Sequence, residues 1–105
     1  MLSFAIRNPL KGQKVTVPAV LNTTLKSLVT AFQPGTVRIL LQNIDAAATL
    51  YWHYGTAAPA GSGSMGQIAP GQILPIEWQV EDLDHLYVYT AGGTDAYVLE
   101  EGIGH

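Results

Sequence analysis

The chain has 105 residues, of which 48 % are hydrophobic and 12 % charged, with a formal net charge of −3 and no cysteine. That length suits one domain that buries about two-thirds of its unfolded surface in a single core. The lack of thiols excludes a disulfide framework, a thiolate zinc site and a cysteine nucleophile. An acidic chain with five scattered basic residues argues against a nucleic-acid-binding surface, and no apolar stretch approaches membrane-spanning length.

The charges are segregated along the chain. Arg7, Lys11, Lys14, Lys26 and Arg38 all precede residue 44, whereas Asp45, Glu77, Glu81, Asp82, Asp84, Asp95, Glu100 and Glu101 all follow it, so the two parts carry +5 and −8, giving −3. Two readings stay open: the halves neutralise each other inside one folded body, or a basic arm of one copy meets the acidic body of another.

Residues 1–13 lack periodicity. Arg7, Asn8 and Pro9 interrupt the apolar run that a secretory signal needs, so the expectation is a cytoplasmic product. Its residues 1–13 read as an extended N-terminal arm, ordered against a partner, ahead of one domain over 14–105. Residues 14–20 (KVTVPAV) alternate as a first strand, with Pro18 placing it toward a sheet edge. Leu21, Leu25, Leu28, Val29 and Phe32 then recur at helical spacing before Gln33-Pro34-Gly35, which predicts a short helix over 24–32.

From residue 36 to 100 the chain reads as a β-meander of short runs: 36–44 (TVRILLQNI), 48–54 (ATLYWHY), 73–80 (ILPIEWQV), 85–91 (HLYVYTA) and 95–101 (DAYVLEE), closed by turn residues such as Asn43, Gly55, Pro70-Gly71 and Gly92-Gly93. Many short strands with turn signals between them predict an all-β fold, a single antiparallel β-sandwich of jelly-roll-like form with one short helix. Alternation assigns Val37, Ile39, Leu41, Leu50, Trp52, Tyr54, Leu74, Ile76, Trp78, Val80, Leu86 and Val88 to the core. Tyr51 and His53, Tyr87 and Tyr89, and Tyr97 fall on opposite faces. These aromatics are either cross-strand sheet pairs or, because interfaces favour tyrosine, a contact surface. With Phe4, Arg7 and Lys11 of the arm they form the candidate interaction set.

The motifs that would carry chemistry fail on context. Gly61-Ser62-Gly63-Ser64-Met65-Gly66 matches the GxGxxG dinucleotide pattern, but Gln67, Ile68, Ala69, Pro70 and Gly71 cannot open the helix it needs, and no Lys follows for a P-loop. What is left is a long loop between strands, a natural recognition element. Glu81, Asp82, Asp84 and His85 lack the glycine turn and distal Glu of a calcium loop. His53, His85 and His105 lack metal-site spacing, and Ser62 and Ser64 are not flanked as a nucleophile elbow. No catalytic, cofactor or metal site is expected.

The order of the Leu25/Leu28 turn, VRILLQN (37–43), LYWHYG (50–55), MGQIAPGQ (65–72), HLYVYTAGG (85–93) and AYVLEEG (96–102) resembles the small β-sandwich proteins among the structural genes of tailed bacteriophages, including capsid cement or decoration proteins. The resemblance covers residues 21–102, and the Trp52-His53 pair stands where smaller β-branched residues are usual. It implies a non-enzymatic virion protein that binds the major capsid protein or other virion proteins as a homo-oligomer, a dimer or trimer, without nucleic acid or membrane. The alternative is a tail or fibre component whose Trp52, Tyr54 or 56–68 loop stacks on a carbohydrate receptor. An inward-pointing Trp52 argues against that stacking.

Overall fold

The computed structural model describes residues 6–30, 32, 36–76 and 84–104. In chain order these form β1 (Ile6–Val17), the helical turn α1 (Leu25–Leu28), β2 (Thr36–Asn43), β3 (Leu50–Tyr54), a 3-10 turn (Ser62–Ser64), β4 (Gly66–Ile68), β5 (Ile73–Ile76), β6 (Leu86–Tyr89) and β7 (Thr94–Gly104). The strands make two antiparallel sheets, one in the order β1-β7-β2-β5 and the other β4-β3-β6.

The pairing is nested. β3 pairs with β4, β2 with β5, and β1 with β7, while Thr24 makes an isolated bridge to Tyr87 of β6. The chain therefore doubles back as one long hairpin, and rolling that hairpin brings β7 beside β2 and β6 beside β3. This is the strand order of a jelly roll whose second strand has shrunk to the Thr24 bridge and α1. The all-β, jelly-roll-like expectation holds. The meander does not: among the described residues β3 and β4 are the one pair of consecutive strands that hydrogen-bond.

Alternation places Val15 and Val17 of β1, Ile39 and Leu41 of β2, Leu50 of β3, Ile68 of β4, Ile76 of β5, Leu86 and Val88 of β6, and Ala96 and Val98 of β7 in one core, closed by Leu25 of α1. Trp52 and Leu74 pack against it half-buried. Tyr54, expected inside, is 40 % exposed. It is the last residue of β3, past the end of the β4 pairing, and its ring turns edge-on to His85 with centroids 6.3 Å apart. Trp78 and Val80 and the side chain of Val37 lie outside the described residues.

The N-terminal expectation is corrected. Residues 6–13 are the first part of β1, which pairs with β7 from Ile6↔Gly104 to Val17↔Thr94 and stops before Pro18. A strand there gives no alternation to read because its inward positions Lys11 and Gln13 are polar and a bulge at Leu10 shifts the register. A second bulge at Val37 of β2 faces the same level of β7. The helix is also shorter than 24–32. Thr24 provides no side-chain cap and Val29 is already extended, while Gln13 Oε1 accepts the Thr30 amide at 3.1 Å, removing a donor the helix would need to continue.

Glu100 is fully buried on the inner face of β7. Lys11 Nζ lies 3.4 Å from its Oε1, and the Thr36 hydroxyl donates to its Oε2 at 3.0 Å. Taking away one partner of a buried ion pair leaves the other charge desolvated. Lys11→Met should therefore destabilise the domain by about 3 kcal/mol, the low end for such pairs because the lysine is itself partly exposed. A denaturant melt checks this; a loss below about 0.5 kcal/mol would mean that the ion pair contributes little.

Candidate functional site

The outer face of the three-stranded sheet gathers four of the eight candidate residues. Leu50 and Trp52 of β3 and Leu86 and Val88 of β6 turn toward the core, so Tyr51 and His53, and Tyr87 and Tyr89, turn outward. The β3–β6 register sets Tyr51 opposite Tyr89 and His53 opposite Tyr87. Ring centroids are 5.9 Å apart in the first pair and 6.3 Å in the second, with tilted planes, the spacing of favourable aromatic contacts. Gln67 of β4 flanks Tyr51. None of the three strands contains Lys, Arg, Asp or Glu, so the face is an uncharged aromatic platform two strands wide, rimmed by phenol and amide groups.

The other candidates are elsewhere. Tyr97 is on the outer face of the four-stranded sheet, where its ring lies over Gly12 of the edge strand; a Cβ at residue 12 would collide with the phenol oxygen. Trp52 covers Gly66 of the other edge strand in the same way, which accounts for a large aromatic where the resemblance leads one to expect β-branched residues. Lys11 points inward to Glu100. Arg7 pairs through its backbone with Ile103, its side chain lies outside the described set, and Phe4 lies outside the described residues altogether.

The charge segregation is a consequence of topology. Acidic β7 runs between basic β1 and β2, with Lys11 on Glu100, Lys14 on Asp95 at 3.7 Å and Arg38 on Glu101 at 2.6 Å. Three of the basic residues are thus matched within the fold, as the first of the two sequence readings requires.

QN and APGQ, two of the motifs that carry the resemblance, meet at one end of the sandwich. Buried Asn43 donates from Nδ2 to the carbonyls of Ala48 (2.8 Å) and Ile68 (2.9 Å), and its Oδ1 accepts the Asp45 amide at 3.0 Å. Its backbone bonds Gln72 and Gly71 across the gap, and Gln42 Nε2 donates to the Gly71 carbonyl. Ala69-Pro70-Gly71-Gln72 closes with the Gln72 amide on the Ala69 carbonyl and Gly71 at φ 82°, a turn that asks for Pro then Gly. These residues hold loops together and offer no reactive group.

The other sequence motifs lie elsewhere in the described chain. The GxGxxG segment forms the 3-10 turn and runs directly into β4, with no helix after it. Asp84 and His85 stand 4.0 Å apart, both partly exposed. Among the described residues no group of three or more His, Asp or Glu side chains could hold a metal ion, and no helix is long and apolar enough to cross a membrane.

One feature escaped the sequence reading: Leu40 and Leu99 face outward at the middle of the four-stranded sheet, opposite each other in register. The unbroken apolar runs Ile39-Leu40-Leu41 and Val98-Leu99 were the signal, because strands covered on both faces lose their polar alternation.

Compared with protein-family models, curated proteins and solved structures, the chain matches none.

Asp45 gives the pH test of the Asn43 knot. Its carboxylate accepts the amides of Ala48 (2.5 Å) and Ala47 (2.8 Å), and these bonds hold its pKa below the ordinary 3.8. A depressed carboxylate pKa stabilises the fold above the unfolded value and loses that contribution as pH falls through the folded one. Asp45→Ala should therefore lower the urea midpoint at pH 7, with the gap from wild type closing below about pH 4. An equal gap at pH 7 and pH 2.5 would show that the charge is not what holds the loop.

Proposed function

We propose that the protein is a non-enzymatic structural component of a tailed-phage virion, a capsid cement protein that attaches to assembled capsid subunits and bridges them. The observation that carries this reading is the contiguous, uncharged face of Tyr51, His53, Tyr87 and Tyr89. Tyrosines bury large contact area at low entropic cost and are favoured where proteins meet. A rigid sheet presents them in a fixed array, as an attachment surface requires. The jelly-roll order and the joining of the QN and APGQ motifs in one knot support the resemblance on which the virion assignment rests. Cement action needs no chemistry: a partner that binds only the assembled shell stabilises it in proportion to affinity and concentration.

In the alternative, a carbohydrate-binding tail or fibre component, stacking falls to Tyr54 at 40 % exposure, because Trp52 packs inward and over Gly66.

Replacing Tyr51 and Tyr89 together by serine should leave the domain folded and weaken its attachment to shells of the phage's major capsid protein by about tenfold or more, the cost of losing interface anchors. Co-sedimentation with assembled shells measures this. Undiminished attachment of a folded double variant would remove this face from the contact.

A further inference from the structure

The outer face of the four-stranded sheet breaks the rule its fold would otherwise follow. A sheet with one face in the core and one in water alternates apolar and polar, yet here the register lines up Leu99 of β7, Leu40 of β2 and Pro75 of β5 in one outward row beside Gly12 of β1. The next row holds Tyr97, Gln42 and Ile73, flanked by Lys14. Ile73 is 50 % and Tyr97 36 % exposed. The result is an apolar band across all four strands. It is bounded on one side by the Arg38–Glu101 pair and on the other by Lys14, Asp95 and Thr16, whose hydroxyl donates to Asp95 at 2.7 Å. An apolar centre inside a polar rim is the anatomy of a protein interface.

We propose that the occupant of this face is a second copy of the chain, packed sheet on sheet as a two-fold dimer. Charge supports a like partner. Each copy is net −3, so copies repel wherever unpaired acids meet, but Asp95 and Glu101, the acids on this face among the described residues, are neutralised in place by Lys14 and Arg38. Area supports it as well. Four strands about 4.8 Å apart, along the length of β2 at about 3.4 Å per residue, give a face of roughly 500 Å². Two such faces bury about 1,000 Å², the lower limit for a specific interface, so the dimer is reversible and concentration-dependent.

The sheet edges offer no competing route. β1 carries Pro9, a bulge and Lys14, β5 carries Pro75, β4 is three residues long, and the four-residue β6 is covered by the Thr24–Tyr87 bridge, where the Val88 amide donates to the Thr23 carbonyl, each a device against edge-to-edge pairing. Face-to-face packing also points the two aromatic platforms away from each other, so a dimer presents two attachment surfaces. The dimer rests on the free protein alone and stands or falls separately from the cement reading.

Sedimentation velocity of the full chain over about 5 to 500 µM is the test. Wild type should shift from monomer toward dimer across that range. Leu40→Lys and, as a milder change at an exposed edge position, Ile73→Lys should each raise the dimer dissociation constant at least about tenfold while keeping the wild-type circular dichroism. Gln67→Lys, on the opposite sheet, should leave it unchanged. Wild type that stays monomeric to 500 µM overturns the proposal. So does a dimer that survives Ile73→Lys but is lost with Gln67→Lys, which would place the contact on the aromatic platform instead.

Discussion

The last strand, β7, lies between the first two, and its acidic residues meet their bases on both sides. Closing the first and last strands against each other is the contact of greatest sequence separation in the fold, the kind whose loop entropy must be overcome before it is rewarded. Apolar pattern alone fixes it poorly, since among the residues of β1 whose side chains are described, 11–17, only Val15 and Val17 are buried hydrophobics. Two side-chain contacts supply the rest. On the inner face Lys11 meets buried Glu100, and on the outer face the Tyr97 ring fills the space over Gly12. A slip of two residues would keep every side chain on its own face, but it would part Lys11 from Glu100 and set Tyr97 against a residue that has a Cβ. Both contacts therefore select the same register, the best-attested service of a buried charge.

The elements rich in β-branched and aromatic residues were legible in the sequence: β2, β3 and β6 are where the alternation and turn residues put them. What could not be read was pairing, because a strand pattern names faces and not neighbours. Nested and sequential orders require the same runs of Val, Ile, Tyr and Leu, so a meander and a jelly roll look alike until Ile6 is seen opposite Gly104. β1 was hidden by its polar interior, since Lys11 and Gln13 occupy positions where a strand usually shows apolar residues. β4 was hidden by brevity, its Gly-Gln-Ile lying inside a loop-like run of small residues.

The candidate site was legible by half, for a physical reason. Tyr51, His53, Tyr87 and Tyr89 share a face because two adjacent strands alternate in phase. Tyr97 has the same alternation but belongs to the other sheet, and its neighbour is a glycine that needs covering. The charge segregation, which suggested an arm reaching a neighbour, instead reflects a sheet that interleaves the two halves of the chain. That leaves two uncharged or neutralised outer faces, one aromatic and one aliphatic, on opposite sides of a thin body.

The closure of the fold depends most on β1 being an integral strand locked to β7, and native-state hydrogen exchange measures that directly. Among residues 11–17 and 95–101, the amides that donate between the two strands should exchange only through global unfolding, with opening free energies equal to each other and to the stability from denaturant melts. If the β1 amides open at much lower free energy while those shared by β7 and β2 keep the global value, β1 is a detachable arm. The closure of the fold would then lie in the remaining strands.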